Sequence, residues 1–210
     1  MFLNNSNRIN ISCWALFILY ALLTLTLLGY GVYFLKNLGF QYIEIGLTIG
    51  ISALLSSIIQ PLIGRLADIR QYSWKNILIV LSLIMLMASL GIFVAPIWLL
   101  IYLFGVMVII LGCLYPFLNN AVFYYENYGI QTNYGISRGF GSLSYMIFAA
   151  IVGAMLIGNN VMVLNAVSLI ATVAMILLVF SLPYYGSTNK VMKYKPKGFK
   201  NNVLYKYPIH

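Results

Sequence analysis

The chain has 210 residues, of which 62% are hydrophobic and 7% charged, and its mean hydropathy is +0.95. These proportions fit a bundle of apolar spans and exclude a soluble core, so an enzyme or binding-module reading has to work within lipid. The net charge of +9 says little about nucleic acid, because Lys190, Lys193, Lys195, Lys197, Lys200 and Lys206 all stand in the tail.

In chain order, residues 1–10 read as a cytoplasmic N-terminus and residues 11–185 as six apolar spans. The first span is Ile11 to Leu35, too long for the apolar region of a cleaved signal peptide. Lys36 to Glu44 makes a turn, and Ile45 to Ile63 is the second span, ending in Gln60-Pro61. Gly64-Arg65-Leu66-Ala67-Asp68 then opens a charged loop that takes in Arg70 and closes at Lys75. Asn76 to Val94 is the third span, Ala95-Pro96 a tight turn, and Trp98 to Tyr125 the fourth span, with Tyr115-Pro116 in its inner half. The fifth runs from about Tyr134 to Ile157, Gly158-Asn159-Asn160 turns the chain, and the sixth is Val161 to Leu182. Pro183 and Gly186 mark the exit, since neither suits a helix interior, and residues 186–210 form a lysine-rich tail.

Each span approaches the roughly 20 apolar residues that a membrane helix needs. Only helices and closed barrels satisfy the backbone in lipid. Barrel strands alternate polar and apolar positions over about ten residues, whereas these runs are continuous. The predicted fold class is therefore an all-α membrane protein with six transmembrane helices in the lipid bilayer. Eleven of the twelve Lys and Arg residues fall on the side of the two termini, with Lys36 alone opposite. The positive-inside rule then makes both termini cytoplasmic, in a multi-pass protein of the cell membrane.

Catalytic chemistry has little to work with. The acids are Glu44, Asp68 and Glu126, and the one histidine is His210. There is no phosphate loop, no HExxH and no Cys-x-x-Cys string. Cys13 and Cys113 sit in hydrophobic runs without partners at ligand spacing, so neither a disulfide nor a metal site is expected. No enzyme activity and no cofactor is expected. Gly46 with Gly50, and Gly135 with Gly139, fit small-residue packing between helices. The tail reads as a solvated linker with a weak attraction for anionic lipid.

Arg138 is the basic residue placed inside an apolar segment rather than clearly beyond its end. An arginine at the centre of a membrane helix costs about 2.5–3.5 kcal/mol on insertion scales, so it normally faces a partner or a watery cavity. It reads either as the anchor of a polar solute or as a side chain that snorkels to the headgroups. Arg138, Ser142 and Tyr145 share one helix face over about 10 Å. Asn119 and Asn120, near the inner end of the fourth span, lie at a similar depth and serve either a ligand or interhelical hydrogen bonds. Tyr20, Thr24 and Gly31 share a face of the first helix that is a further candidate cavity lining.

Two stretches carry a family resemblance. Gly64-Arg65-Leu66-Ala67-Asp68 with Arg70 and Lys75, between the second and third spans, resembles the signature loop of major facilitator transporters. There the glycine permits a tight exit, and the acid flanked by bases latches the inner face against a helix end. Asn133-Tyr134-Gly135-Ile136-Ser137-Arg138-Gly139-Phe140-Gly141-Ser142 resembles the start of the fifth helix in lactose permease and related sugar/proton symporters, and Gln60-Pro61 also fits that group. The resemblance covers about residues 10 to 185. It implies the amino-terminal six helices of a twelve-helix fold whose solute site lies between two halves.

Within that group, an arginine and an acid grip the sugar hydroxyls and an aromatic ring stacks on the sugar. The resemblance puts Arg138 in the arginine's place, Tyr145 in that of the ring, and Asn120 where the acid stands. An amide does not neutralise Arg138, which leaves an anionic ligand or Glu126 as the counter-charge. The implied function is a truncated or split secondary transporter for a sugar-like small polar solute, coupled to protons in the complete protein. A second six-helix half or a second copy would supply the other wall. The alternatives are a remnant without activity and a membrane protein that packs against a partner bundle.

Overall fold

The computed structural model describes residues 2–186 apart from Gln131 and Asn159, with side chains from Ser6 onward. The lysine tail, His210 and Asn159 of the expected turn lie outside the described residues. The described chain is helical: α1 (Phe2–Thr24), a π-helical turn (Leu25–Gly29), α2 (Gly31–Asn37), α3 (Tyr42–Arg70), α4 (Trp74–Val94), α5 (Ile97–Asn127), α6 (Tyr134–Met155) and α7 (Met162–Ser181). Six of these segments are long and apolar enough to cross a membrane. The architecture is that of half a major facilitator fold.

Several helices run past the apolar limits read from the sequence. α1 begins at Phe2, within the stretch expected to precede the first span, so Arg8 is helical. α3 passes through Pro61 and continues to Arg70, so Gly64-Arg65-Leu66-Ala67-Asp68 is the end of a helix and not a loop. Leu, Arg and Ala all favour helix, and an existing turn extends more cheaply than a new one starts. The chain leaves α3 at Gln71, which takes the left-handed conformation (φ 52°), with Tyr72 N–H donating to Ala67 O at 3.0 Å. The same kind of stop ends α5, where Gly129 at φ 77° precedes the bond from Ile130 N–H to Tyr125 O at 3.1 Å. A left-handed residue followed by this long back-bond satisfies carbonyls that the helix end leaves free.

The core centres on α5, which packs against α3 and α4 and touches α1, while α7 lies against α4 and α1, and α6 against α1. Met85, Met107, Leu111, Leu114, Leu118 and Met175 are buried at these contacts. α3 comes close to α5 because Gly105 and Gly112 face it: a Cβ on Gly112 would lie 2.0 Å from Ser56 Oγ. Asn165 joins α7 to α4 in a reciprocal pair. Ser89 Oγ donates to Asn165 Oδ1 at 3.0 Å, and Asn165 Nδ2 donates to Ser89 O at 2.9 Å.

At the end of the bundle where α7 stops, Tyr125 Oη donates to Pro183 O at 2.8 Å, and Tyr128 Oη donates to Gly186 O. Tyr124 and Tyr184 stack with centroids 5.6 Å apart, so residues 183–186 are held against the end of α5. α3 and α6 are the least buried spans, each with 17% of its most apolar window inside the bundle against at least 39% for the others. Their remaining surface faces away from the six-helix core.

Candidate functional site

Two runs of side chains at the same spacing line one groove. On α1, Phe17, Tyr20, Ala21 and Thr24 stand at i, i+3, i+4 and i+7. On α6, Arg138, Gly141, Ser142 and Tyr145 do the same, and such positions share one face of a helix. With Tyr115 of α5 they line a cavity of about 330 Å³. Ligand pockets span about 300–1,000 Å³, so this one is of the size that suits a small solute.

Local packing explains why α1 and α6 make this groove. A Cβ on Gly141 would lie 3.3 Å from Phe17 O, so glycine is what lets the two backbones approach. One turn away Trp14 stacks on Phe140 at 4.8 Å. At the other end Tyr30 Oη donates to Ala149 O at 2.8 Å and lies over Gly153, where a Cβ would be 2.7 Å from it. The π-helical turn follows Thr24 directly, and Tyr145 Oη reaches its last residue, 2.8 Å from where a Cβ on Gly29 would stand. Single π turns inside helices occur frequently at functional sites.

Arg138 lies one turn inside α6, whose start is fixed by Asn133 accepting from Ile136 N–H at 3.1 Å. Its Nη1 donates to Tyr134 Oη at 3.5 Å, the outer limit of a hydrogen bond. A guanidinium has five N–H donors, so this bond leaves most of its capacity unused. Tyr115 of α5 also belongs to this lining. Its ring is 5.4 Å from that of Tyr20 across the groove. Ser142 Oγ donates to Arg138 O at 3.4 Å and Thr24 Oγ1 to Tyr20 O at 2.9 Å. Both hydroxyls thus keep lone pairs for a ligand.

Of the five candidate binding residues, Arg138, Ser142 and Tyr145 line the cavity, and Asn119 and Asn120 do not. Asn119 stands one turn from Tyr115, with its Oδ1 buried and without a hydrogen-bond partner. Asn120 is exposed and turned about 140° from Tyr115 around α5 by the helical period, so the depth it shares with Arg138 does not bring it into the lining. Glu126 is not among the lining residues either. Of the first-helix candidates, Tyr20 and Thr24 line the cavity, whereas Gly31 packs against the Phe104 ring of α5. The π turn inserts one extra residue, which rotates everything after it by roughly 100°.

Phe17, Ala21, Tyr115 and Gly141 complete the lining and were not singled out from the sequence. The i, i+3, i+4, i+7 pattern common to α1 and α6 is the signal that points to three of them. Arg138 is also less singular than the sequence indicates, because the longer α1 and α3 place Arg8 and Arg65 within helices too. What sets Arg138 apart is the cavity.

The charged motif behaves differently from the expected latch. Gly64 stands inside α3 with open space around it, and Gln71 makes the exit instead. Asp68 is exposed and, among the described residues, joins no ion pair, while Arg65 and Arg70 are exposed beside it. The contact with a helix end comes from Lys75, whose Nζ donates to Leu182 O at 2.7 Å and Phe180 O at 3.0 Å at the end of α7. A cation there complements the negative end of the helix dipole. A larger groove of about 670 Å³ lies between α3, α4 and Phe180, but among the described residues Tyr72 and Asn76 are its only polar lining and none is charged. It lacks the convergent polar groups that fix a polar solute.

No curated protein and no solved structure matches this chain. The model of the MFS_1 like family matches it over residues 10–203. With nearly the whole length matched and six membrane-length helices in place, the chain belongs to the MFS_1 like family of major facilitator proteins.

Proposed function

We propose that this bundle is one wall of a secondary transporter for a sugar or similar small polar solute, with Arg138 as the anchor. The observation that carries the reading is the meeting of Arg138 with Ser142, Tyr145, Tyr20, Thr24 and Tyr115 around one cavity. An exposed arginine that merely reaches for headgroups does not need two helices whose polar and aromatic residues converge on it. Arg138 supplies a planar fork of donors that lysine does not reproduce. The orientation goes with this reading: both termini in the cytoplasm of a cell-membrane protein, by the distribution of Lys and Arg.

Alternating access rocks one bundle against another around a shared site. The thinly buried spans α3 and α6 are the faces on which a second six-helix bundle, from another half or a second copy, would close the site. Proton coupling falls to that second bundle. Glu44, Asp68 and Glu126 lie at helix ends, and without a carboxylate or imidazole among the described lining residues a pH gradient has no group on this wall on which to act.

The test is reconstitution in liposomes with an inward proton gradient and a panel of mono- and disaccharides, with and without an added six-helix partner. Uphill accumulation only with the partner is expected. Accumulation by this polypeptide alone overturns the division of labour, and no solute movement in either case overturns the transport reading.

A further inference from the structure

We propose that the solute held in this cavity carries one negative charge, and that a sugar acid of the hexuronate type fits it better than a neutral sugar. The inference rests on the solute-site reading above and adds to it the charge of the ligand. Among the described residues, Arg138 is the single charged group in the lining, and no carboxylate joins it. The described acids are engaged or placed elsewhere. Glu44 accepts from Gln41 N–H at 2.8 Å at the start of α3, Asp68 is exposed at the far end of α3, and Glu126 lies in the last turn of α5. Enclosing a neutral solute against this wall would desolvate a guanidinium that no carboxylate of this bundle compensates, which is costly. A carboxylate removes that cost and takes two parallel N–H bonds from the fork.

The hydroxyls complete the match. Ser142 and Thr24 spend their protons on backbone carbonyls, at 3.4 and 2.9 Å, so toward the cavity they act as acceptors. They suit the donating hydroxyls of a sugar, while Arg138 requires an acceptor. A ligand with hydroxyl donors at one end and a carboxylate at the other satisfies both. The volume of about 330 Å³, with the rings of Tyr20 and Tyr115 along it, favours a single sugar ring.

The experiment is equilibrium dialysis of radiolabelled glucuronate and glucose against the full chain in nanodiscs, for the wild type, Arg138→Gln and Arg138→Lys. Circular dichroism and size exclusion would monitor the fold of each variant. Glucuronate is expected to bind at least about tenfold more tightly than glucose, a preference that about 0.5 M salt reduces. Arg138→Gln removes the preference. Arg138→Lys weakens binding but keeps its sign, so the charge is read even where one variant fails to fold. Glucose binding as tightly as glucuronate, or a preference that survives Arg138→Gln, overturns the anionic ligand and leaves the solute site standing. Binding of neither compound to the wild type overturns both.

Discussion

The α4–α7 seam and the α1–α6 seam use polar residues in opposite ways. Across the first, Asn165 and Ser89 exchange two hydrogen bonds and Lys75 closes the end of α7, while within α7 Ser168 Oγ donates to Asn165 O at 2.8 Å. The polar groups of Asn165 and Ser89 are matched to each other, whereas Ser82 Oγ, two turns away on α4, is buried without a partner. Across the second, contact is made by glycine against backbone and by stacked rings, with one hydrogen bond from Tyr30 Oη to Ala149 O at its far end, while Arg138, Ser142 and Tyr145 line the cavity. Interhelical hydrogen bonds in membranes average only about 0.6 kcal/mol and reach about 1.7, so a matched seam holds modestly but specifically. The difference separates residues that hold the bundle from residues that remain available to a solute.

The substitution expected to have the largest effect attacks the open seam where it is tight. Gly141→Leu forces bulk against the Phe17 carbonyl, which is backbone and cannot rotate away. Overpacking of this kind costs about 1–3 kcal/mol, and the same side chain fills the cavity. Unfolding in mixed detergent should show the loss of stability, and solute binding should vanish with it. Unchanged stability would mean that α1 and α6 are not in contact there.

Next in size is Asn165→Ala, which sharpens the contrast from the other side. It removes the reciprocal pair with Ser89 in a site where Asn165 is 4% exposed. A loss of about 1–2 kcal/mol is expected, with solute affinity intact. A variant that binds poorly while unfolding normally would contradict the division between the seams. The smallest effect on stability belongs to Arg138→Gln. The guanidinium has one long bond to Tyr134 and is exposed, so the change should stay within about 0.5 kcal/mol, as for surface positions. Its consequence should appear in binding alone.

The existence and order of the spans were legible because continuous apolar runs of membrane length have few alternatives in water or lipid. Their ends were not. Hydropathy stops where charge begins, at Gly64 or Ile11, but helix propensity does not, and the helices continue to Arg70 and back to Phe2. The α6 half of the cavity lining was legible, since Arg138, Ser142 and Tyr145 share a face by the helical period. Its α1 partner was half visible in Tyr20 and Thr24, and the error at Gly31 traces to a π turn that composition does not announce. Asn120 was misplaced because depth in the membrane fixes position along a helix but not around it. Lys75 was read as part of a loop motif, while its role depends on α7, more than a hundred residues away in the chain.

The central claim is that the Arg138 face of α6 meets a water-filled cavity rather than lipid. Two neighbouring residues test it, Ser142 in the cavity lining and Leu143, 49% exposed and outside that lining. The native thiols of Cys13 and Cys113 are buried and give little background. In intact membranes, Ser142→Cys should react rapidly with a charged thiol reagent that cannot enter lipid, and glucuronate should slow the reaction, while Leu143→Cys should stay unlabelled. Equal labelling of the two positions, or labelling of Leu143→Cys alone, would contradict the cavity and return Arg138 to the headgroups.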